Sequence, residues 1–450
     1  MKKIKTSIGV ISTFPKGAEL WLTTFFNVCY TTYTIPIRLK FDVRKNKYTL
    51  ETSVLRKVIC ITRLFFLSVE FLINFFVYPA TYFPNDKGPL GVLFSGFALG
   101  FTFQGLCYLA SMISSNTKHG MSELVTLIKD DKTRSVTKNG QKLRVFGEVA
   151  LFLALAILTP MSLQVQTIQN VGLKKELQSK WYHFIELNEK KANQVMYSVA
   201  ADYSPEDFPW WKGVVSFLFL LSELDMEVIM GGSSLILFVL MGKTLEAICI
   251  HFVSSIRDTQ KFCSISSDEI IMKFWKIRRA FDIVSRSFGL ALLLTVIFNG
   301  IRTCVGIVWM FRTQIPFSTA IGMVSDITVF IYFLCLAASA SNQLLMVSRF
   351  LNTLDYHRHR KNGSSTSLRK LIVVHEITSG SVGLYSSLLS VISYGFIAGL
   401  AVTLMSNSAL VLQYFDLVVI AQNQQSQNSR TEIQLHTFDN TTSILNQSLN

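Results

Sequence analysis

The chain has 450 residues, of which half are hydrophobic and 16% are charged, and its mean hydropathy is positive, at +0.38. Soluble domains usually carry about 25% charged residues. This composition disfavours a soluble enzyme, and we expect no enzymatic activity, cofactor or metal site. The net charge of +14 is concentrated in alternate gaps between apolar segments, which indicates membrane orientation rather than a nucleic-acid partner.

In chain order, a cytoplasmic N-terminal segment comes first, at residues 1–57. Its apolar stretch 20–33 is short and broken by polar residues, which predicts a membrane-surface or re-entrant helix. The stretch 210–221 is interpreted as an outer extension of the fourth membrane helix, with an eighth span as the alternative. Segments that could cross about 30 Å of hydrocarbon lie at residues 58–80, 89–113, 146–168, 227–253, 287–311, 317–342 and 393–416.

The distribution of lysine and arginine predicts the orientation. Residues 1–57 carry 11 basic and 3 acidic side chains, and the gaps 114–145, 254–286 and 343–384 are also mainly basic. Because basic gaps stay in the cytoplasm, the N-terminus is expected inside and the C-terminus outside. The predicted fold is an all-α membrane protein of seven transmembrane helices, inverted relative to ordinary G-protein-coupled receptors.

The polar tail 417–450 agrees with this topology, since its sequons at Asn440 and Asn446 are predicted glycosylation sites outside the cell. A third sequon, at Asn362, lies in a gap placed inside and is expected to stay unmodified. None of the seven cysteines lies in a predicted outer loop, so we expect no structural disulfide.

Residues 369–416 predict a helix that is too long for the bilayer. The apolar part, 386–415, would be about 45 Å long at 1.5 Å per residue. We expect it to project into the cytoplasm or to break, with Gly395 and Gly399 as candidate break points.

The cytoplasmic gap 254–286 also predicts a helix. A capping box runs from Ser266 to Glu269. Behind it, apolar residues recur at spacings of four and three and form one stripe. Outside the membrane such a stripe must be buried by another cytoplasmic helix, of the same or a neighbouring subunit; the alternative is a helix on the membrane surface. Its residues are Ile270, Phe274, Ile277, Phe281, Val284 and Phe288.

Three segments, in order, resemble the arthropod gustatory receptors. Residues 35–42 resemble the Pro-containing segment before that family's first span, and residues 274–294 resemble the stretch that leads into its fifth. The seventh span ends at 406–414, where the family has Thr-Tyr, five hydrophobic residues and Gln-Phe. Gln413 matches this pattern, whereas Asn407 departs from the family tyrosine.

This resemblance implies a relation to insect odorant receptors and a tetrameric, ligand-gated cation channel. The family lines its pore with the last helix and joins its subunits through a cytoplasmic anchor. Carried over to this chain, residues 270–288 and 369–392 would form the anchor, and residues 395–417 would form the pore.

The candidate pore residues share one face of the last helix, at positions i, i+3, i+4 and i+7. By the resemblance, two of them, Leu410 and Tyr414, would form a hydrophobic gate, and Gln413 would add a polar ring. The alternative is an ordinary contact between helices. The four residues are Leu410, Gln413, Tyr414 and Leu417.

A candidate ligand pocket lies in the outer half of the bundle. Arg302 and Asp326 are each twelve residues from Gln314, in the predicted outer turn, so they should lie at similar depth and could pair. The pair is either purely structural or borders a pocket together with Phe94, Phe97, Phe101 and Trp309.

Two further groups are interpreted as structural. Lys243 and Glu246 are three residues apart on the fourth helix and should satisfy each other. The cluster His357–Arg360 is interpreted as solvated charge near anionic lipid rather than as a metal site.

Together these features predict a chemosensory receptor of the plasma membrane. A small, tastant-like molecule would open a nonselective cation pore in a tetramer, alone or with related subunits. The alternatives are a multipass transporter and a G-protein-coupled chemoreceptor.

Overall fold

The computed structural model describes residues 19–32, 34–42, 44, 47–82, 103–128, 143–154, 172, 173, 175, 177, 178, 209–224, 232–260, 267–312, 317–358, 364–386, 391–410, 412 and 413. Most of these residues are helical. The helices are α1 (Leu20–Thr31), α2 (Val54–Tyr82), α3 (Phe103–Ile113), α4 (Ser115–Ile128), α5 (143–154), α6 (Trp210–Leu224), α7 (Gly232–Gln260), α8 (Ser267–Arg312), α9 (Phe317–Arg358), α10 (Ser364–Thr378) and α11 (Tyr394–Leu410).

Several of these helices are suited to a membrane. In the described residues, three segments are both long and apolar enough to cross one: Ser233–Arg257, Asp268–Val308 and Met323–Leu351. Helices α3 and α11 are apolar but shorter, and α2 contains the predicted first span. The chain is therefore an all-helical, multi-pass membrane protein. Its predicted number of crossings stays a prediction, because the spans 89–113, 146–168, 227–253 and 393–416 lie partly outside the described residues.

Two helices are much longer than a bilayer is thick. Helix α8 has 46 residues and α9 has 42, which at 1.5 Å per residue makes them about 69 Å and 63 Å long. The hydrocarbon layer is about 30 Å thick. Roughly half of each helix must therefore project beyond it.

The projecting part of α8 carries the predicted apolar stripe, and this stripe is buried inside one subunit. All six of its side chains, from Ile270 to Phe288, are at most 1% exposed. Helix α8 packs against α4, α7, α9 and α10 of the same chain. The stripe accordingly needs no neighbouring subunit to cover it.

A two-stranded antiparallel hairpin follows α1, and the sequence analysis did not predict it. Strand β1 is Ile37–Asp42 and strand β2 is Lys47–Thr52, with Leu39 opposite Leu50. In β1, Ile37 and Leu39 are buried while the alternate residues are exposed, as the two-residue period of a strand requires. The hairpin packs on α1 and α4, where the Ser122 hydroxyl donates to the Tyr48 carbonyl oxygen at 2.6 Å.

The break in the C-terminal helical region lies earlier than predicted. Helix α10 ends in a Schellman motif, in which Gly380 has φ +67° and the Ser381 N–H donates to the Glu376 carbonyl oxygen at 3.2 Å. The described residues 379–386 and 391–393 are not helical. Both predicted break points, Gly395 and Gly399, lie inside α11, so that expectation was wrong.

Candidate functional site

Helix α11, the candidate pore helix, packs on its own subunit along one side only. Leu400, Leu404 and Ser408, at spacings of four, form the packed side. The Cys304 thiol reaches the Leu404 carbonyl oxygen at 3.4 Å, and Ser408 is 4% exposed. Most other α11 side chains are exposed, including Met405 at 70%.

The side of α11 opposite Ser408 carries polar groups. At 100° per residue, five exposed residues from Gly399 onward fall within about 80° of one another on this face, and Gly395 precedes them at the same angle as Gln413. Three of these residues are polar, and polar side chains are costly against lipid. The Thr403 hydroxyl donates to the Gly399 carbonyl oxygen at 2.9 Å. We call this the open face of α11; its members are Gly399, Thr403, Ser406, Leu410 and Gln413.

Two of the four predicted pore residues, Leu410 and Gln413, thus lie on the open face. Tyr414 and Leu417 lie outside the described residues. The open face also includes Ser406 and Thr403, which the sequence analysis did not single out as pore candidates.

The linker before α11 is tightly packed around Gly383. A Cβ atom at this position would lie 2.3 Å from both the Ser341 hydroxyl and a methyl of Val391. The Ile392 N–H donates to the Leu384 carbonyl oxygen at 2.9 Å. Gly383 therefore lets the linker before α11 approach the Ser341 side chain of α9 closely.

Tyr385 connects the same linker to α8. Its backbone N–H donates to the Ser285 hydroxyl at 3.2 Å, and its phenol donates to an Asp282 carboxylate oxygen at 3.2 Å. Burial and the adjacent Asp282 charge raise the pKa of the Tyr385 phenol, against an opposing effect of Arg286. The phenol therefore remains a neutral donor at physiological pH.

Helix α10 is tied to α8 as well. The Arg278 guanidinium forms an ion pair with Glu376 and lies 4.8 Å from the centre of the Trp275 ring. Glu376 is also the carbonyl acceptor in the turn that ends α10. Glu376 thus links the end of α10 to the part of α8 that projects beyond the bilayer.

Arg302 on α8 and Asp326 on α9 form the predicted ion pair. The Asp326 side chain is 14% exposed and that of Arg302 is 28% exposed. Of the other pocket candidates, Trp309 lies on α8, and its side chain is not among those described. Phe94, Phe97 and Phe101 lie outside the described residues, so the pocket itself stays a prediction.

Lys243 does not pair with Glu246 as predicted. Its ammonium donates to Glu148 on α5 at 2.5 Å and lies 5.0 Å from the centre of the Trp21 ring. The Trp21 indole N–H donates to the same carboxylate at 3.1 Å, and Arg144 reaches its second oxygen at 3.2 Å. Apart from Arg144 and Glu148, which are four residues apart, no local spacing signals this cluster, because Trp21 and Lys243 lie 127 and 95 residues from Glu148.

The remaining predictions fall mostly outside the described residues. This holds for the sequons at Asn440 and Asn446, for Asn362 and for most of the His357–Arg360 cluster. The six described cysteines have free thiols, and no group of metal-ligating side chains occurs in the part of the chain searched.

No family model matches the sequence, and no curated protein matches it. Among solved structures, the chain is similar to the insect olfactory receptor OR5 from Machilis hrabei, with a TM-score of 0.52 and 15% sequence identity. The alignment covers 88% of this chain and 98% of that receptor. The chain has the insect olfactory-receptor fold. A structure of the same receptor in complex with eugenol aligns with a TM-score of 0.44 at 14% identity, over 88% and 96% of the two chains.

Proposed function

We propose that this chain is a gustatory-type chemosensory receptor that acts as a tetrameric, ligand-gated, nonselective cation channel of the plasma membrane. The olfactory-receptor fold supports a chemoreceptor. The gustatory assignment rests on the resemblance at residues 35–42, 274–294 and 406–414. In this proposal the N-terminus is cytoplasmic and the C-terminal tail, with its sequons at Asn440 and Asn446, is outside.

The observation that carries the channel proposal is the open face of α11. A membrane helix with one packed side ordinarily turns apolar side chains toward lipid. Here the side opposite the packed one presents Thr403, Ser406 and Gln413, which favour water over hydrocarbon. A central aqueous pore shared by several subunits accounts for this polarity.

Within that pore, Leu410 and Tyr414 form the gate. Rings of apolar side chains dewet a narrow pore and so stop ions without a solid plug. Gln413 supplies amide oxygens to a partly dehydrated cation, and Leu417 continues the same face by its spacing. These roles extend the open face by one turn beyond the described residues.

The ligand is a small, tastant-like molecule that binds the outer half of the bundle. Arg302 and Asp326 border this pocket, together with Trp309, Phe94, Phe97 and Phe101. Subunits are joined through an anchor formed by α10 and the cytoplasmic part of α8. Because the stripe of α8 is already covered within one subunit, the anchor contacts between subunits use other faces of these helices.

Cysteine accessibility tests the pore directly. Ser406 is on the open face, whereas its neighbour Met405 points about 100° away and is equally uncovered in one subunit. In cells expressing the receptor, a charged, membrane-impermeant thiol reagent is expected to change the current of Ser406→Cys while ligand is present, and to leave Met405→Cys and the parent unchanged.

The background is a parent in which Cys335, the exposed native cysteine among those described, is replaced by serine. Equal modification of both variants would contradict a pore lined by the open face. A protein that carries no current with a broad ligand panel, although it reaches the cell surface, would argue against a channel altogether.

A further inference from the structure

A cleft of about 770 Å³ opens between α4 and the cytoplasmic part of α8, away from the pore and the outer pocket. Both of its walls are helical and both carry hydrogen-bonding side chains. The residues of α4 are Ser115, His119, Gly120 and Glu123, and those of α8 are Arg279, Asp282, Ile283, Arg286 and Ser287.

The cleft results from the way in which α4 and α8 pack. Helices α4 and α8 touch where Gly120 meets Ser287: a Cβ atom on Gly120 would lie 2.2 Å from the Ser287 hydroxyl. The Thr117 hydroxyl donates to the Ser287 carbonyl oxygen at 3.1 Å. This close contact fixes one end of the cleft and aligns its two walls.

The carboxylates in the cleft already have partners. Glu123 accepts from the Arg279 guanidinium at 2.7 Å. Asp282 accepts from the Tyr385 phenol at 3.2 Å and lies 4.0 Å from Arg278. Bound anions would therefore meet carboxylates whose charge is largely balanced.

The lining itself holds two arginines and two carboxylates, and the two lysines beside it make the surroundings positive. In the described part of the chain, Arg286 forms no ion pair with a carboxylate; its guanidinium hydrogen-bonds the Tyr385 phenol and leaves its other N–H groups for a ligand. Beside the cleft, burial and the nearby Lys57 charge lower the pKa of Lys118, as expected where cations crowd together. His119 adds two ring nitrogens to the same wall.

In the predicted topology, the cleft lies at the level of the phosphate groups of the inner leaflet. Ser115 follows the end of α3, at Ile113, by two residues, and Ser287 is the first residue of the predicted fifth span. Glu123 and Arg279 are each eight residues farther along their helices, about 12 Å deeper into the cytoplasm. One end of the cleft is thus level with the lipid headgroups and the other is open to the cytosol.

We propose that this cleft binds a phosphate-bearing anion, with Arg286 as the principal ligand and His119, Ser115 and Ser287 as further donors. A guanidinium presents paired N–H groups that match phosphate oxygens, and serine hydroxyls can donate to the remaining ones. The anion is either a phosphorylated lipid headgroup that enters from the bilayer or a soluble phosphate compound from the cytosol. The channel activity proposed above is not needed for this binding.

Binding to the full-length receptor in detergent tests the proposal. The probes are fluorescent short-chain phosphatidylinositol 4,5-bisphosphate and inositol 1,4,5-trisphosphate, its headgroup without acyl chains. Arg286→Gln is expected to weaken binding of the lipid probe at least tenfold and Arg286→Lys to weaken it less. Arg257→Gln, which removes an exposed charge at the end of α7, is expected to bind like the parent.

The two probes distinguish the sources of the phosphate. Preference for the acylated probe identifies a lipid headgroup as the ligand, and equal affinity for both identifies a soluble phosphate compound. Equal binding by the parent and Arg286→Gln would overturn the proposal. So would the absence of saturable binding of either probe to parent protein that elutes as one sharp peak. His119→Gln provides a second variant if Arg286→Gln does not fold.

Discussion

At the scale of single residues, several ion pairs join two helices in the described part of the bundle. Arg302 on α8 meets Asp326 on α9, and Lys243 on α7 meets Glu148 on α5. Unpaired charges are costly in such surroundings, so each pair constrains the relative position of two helices. The first pair was predictable because its residues flank one hairpin symmetrically; the second was not.

Replacing Asp326 with asparagine should remove the carboxylate that faces Arg302. We expect a loss of about 2 kcal/mol in stability, below the range for fully buried pairs because Arg302 is partly exposed. The measurement is thermal unfolding in detergent. The double variant Arg302→Met/Asp326→Leu should lose less than the single variant, and a larger loss would show that the pair is not what stabilises this contact.

Tyr48 links stability to alkaline pH. Burial and the Glu19 charge raise the pKa of its phenol from 10 to about 12. Because the unfolded chain ionises Tyr48 first, its contribution to stability is complete below pH 10 and is lost as the pH rises to about 12. We expect the melting temperature of the parent to fall relative to Tyr48→Phe between pH 10 and 12. A difference that is constant across this range would contradict the prediction.

At the scale of elements, α8 combines a segment apolar enough to cross a membrane with a part that projects beyond the bilayer. Its stripe repeats every three or four residues, so the same face stays buried from Ile270 to Phe288. The helix can leave the bilayer without exposing this face because α4, α7 and α10 pack around it.

Phe281→Ala should remove one of the largest buried side chains of this stripe. Such a substitution costs about 3–5 kcal/mol through lost burial and the cavity left behind. Met272→Ala, on the same helix but at a side chain that is 61% exposed, should cost less than about 0.5 kcal/mol. Thermal unfolding of the two variants should separate them clearly, and equal melting temperatures would contradict burial within one subunit.

Gly383→Ala should disturb the linker that leads into α11. The added methyl would lie 2.3 Å from side-chain atoms of both Ser341 and Val391, so these side chains or the linker must shift, at a cost of about 1–3 kcal/mol. Gly395→Ala, where the nearest atom would lie 3.7 Å away, is the matched control and should unfold at or above the temperature of the parent. A Gly383→Ala variant as stable as the parent would show that this packing is dispensable.

At the scale of the whole molecule, one subunit does not account for the exposure of α11. Its polar open face has no partner in the described part of the chain, while the cytoplasmic stripe is fully covered. The proposed tetramer assigns the open face to a central pore and the uncovered faces of α10 to subunit contacts.

Single-particle imaging of the solubilised protein checks this assembly. We expect a fourfold particle whose central axis is lined by the open face of α11, with α10 and the cytoplasmic part of α8 near the axis below the membrane. A monomeric particle, or an oligomer with α11 at its periphery, would contradict the shared pore and favour a transporter.

Periodic patterns explain what was predictable from the sequence. Hydropathy and lysine–arginine bias identify the membrane class, and the spacing from Ile270 to Phe288 identifies a helix face that must be buried. Both signals are local, since a helix repeats every 3.6 residues whatever lies beside it. The same spacing rule placed Leu410 and Gln413 on one face.

Contacts between distant parts of the chain were decided only by the tertiary structure. Lys243 prefers Glu148 to the nearby Glu246, because packing brings α5 closer to its ammonium than its own helix does. The hairpin at residues 37–52 was missed because its two strands have only six residues each and because its packing on α4 is a contact between distant parts of the chain. The break before α11 lies at Gly380 rather than Gly395, since a helix ends where its last carbonyl oxygens find other donors. The sequence alone thus determined which faces must be buried, and the fold determined what buries them.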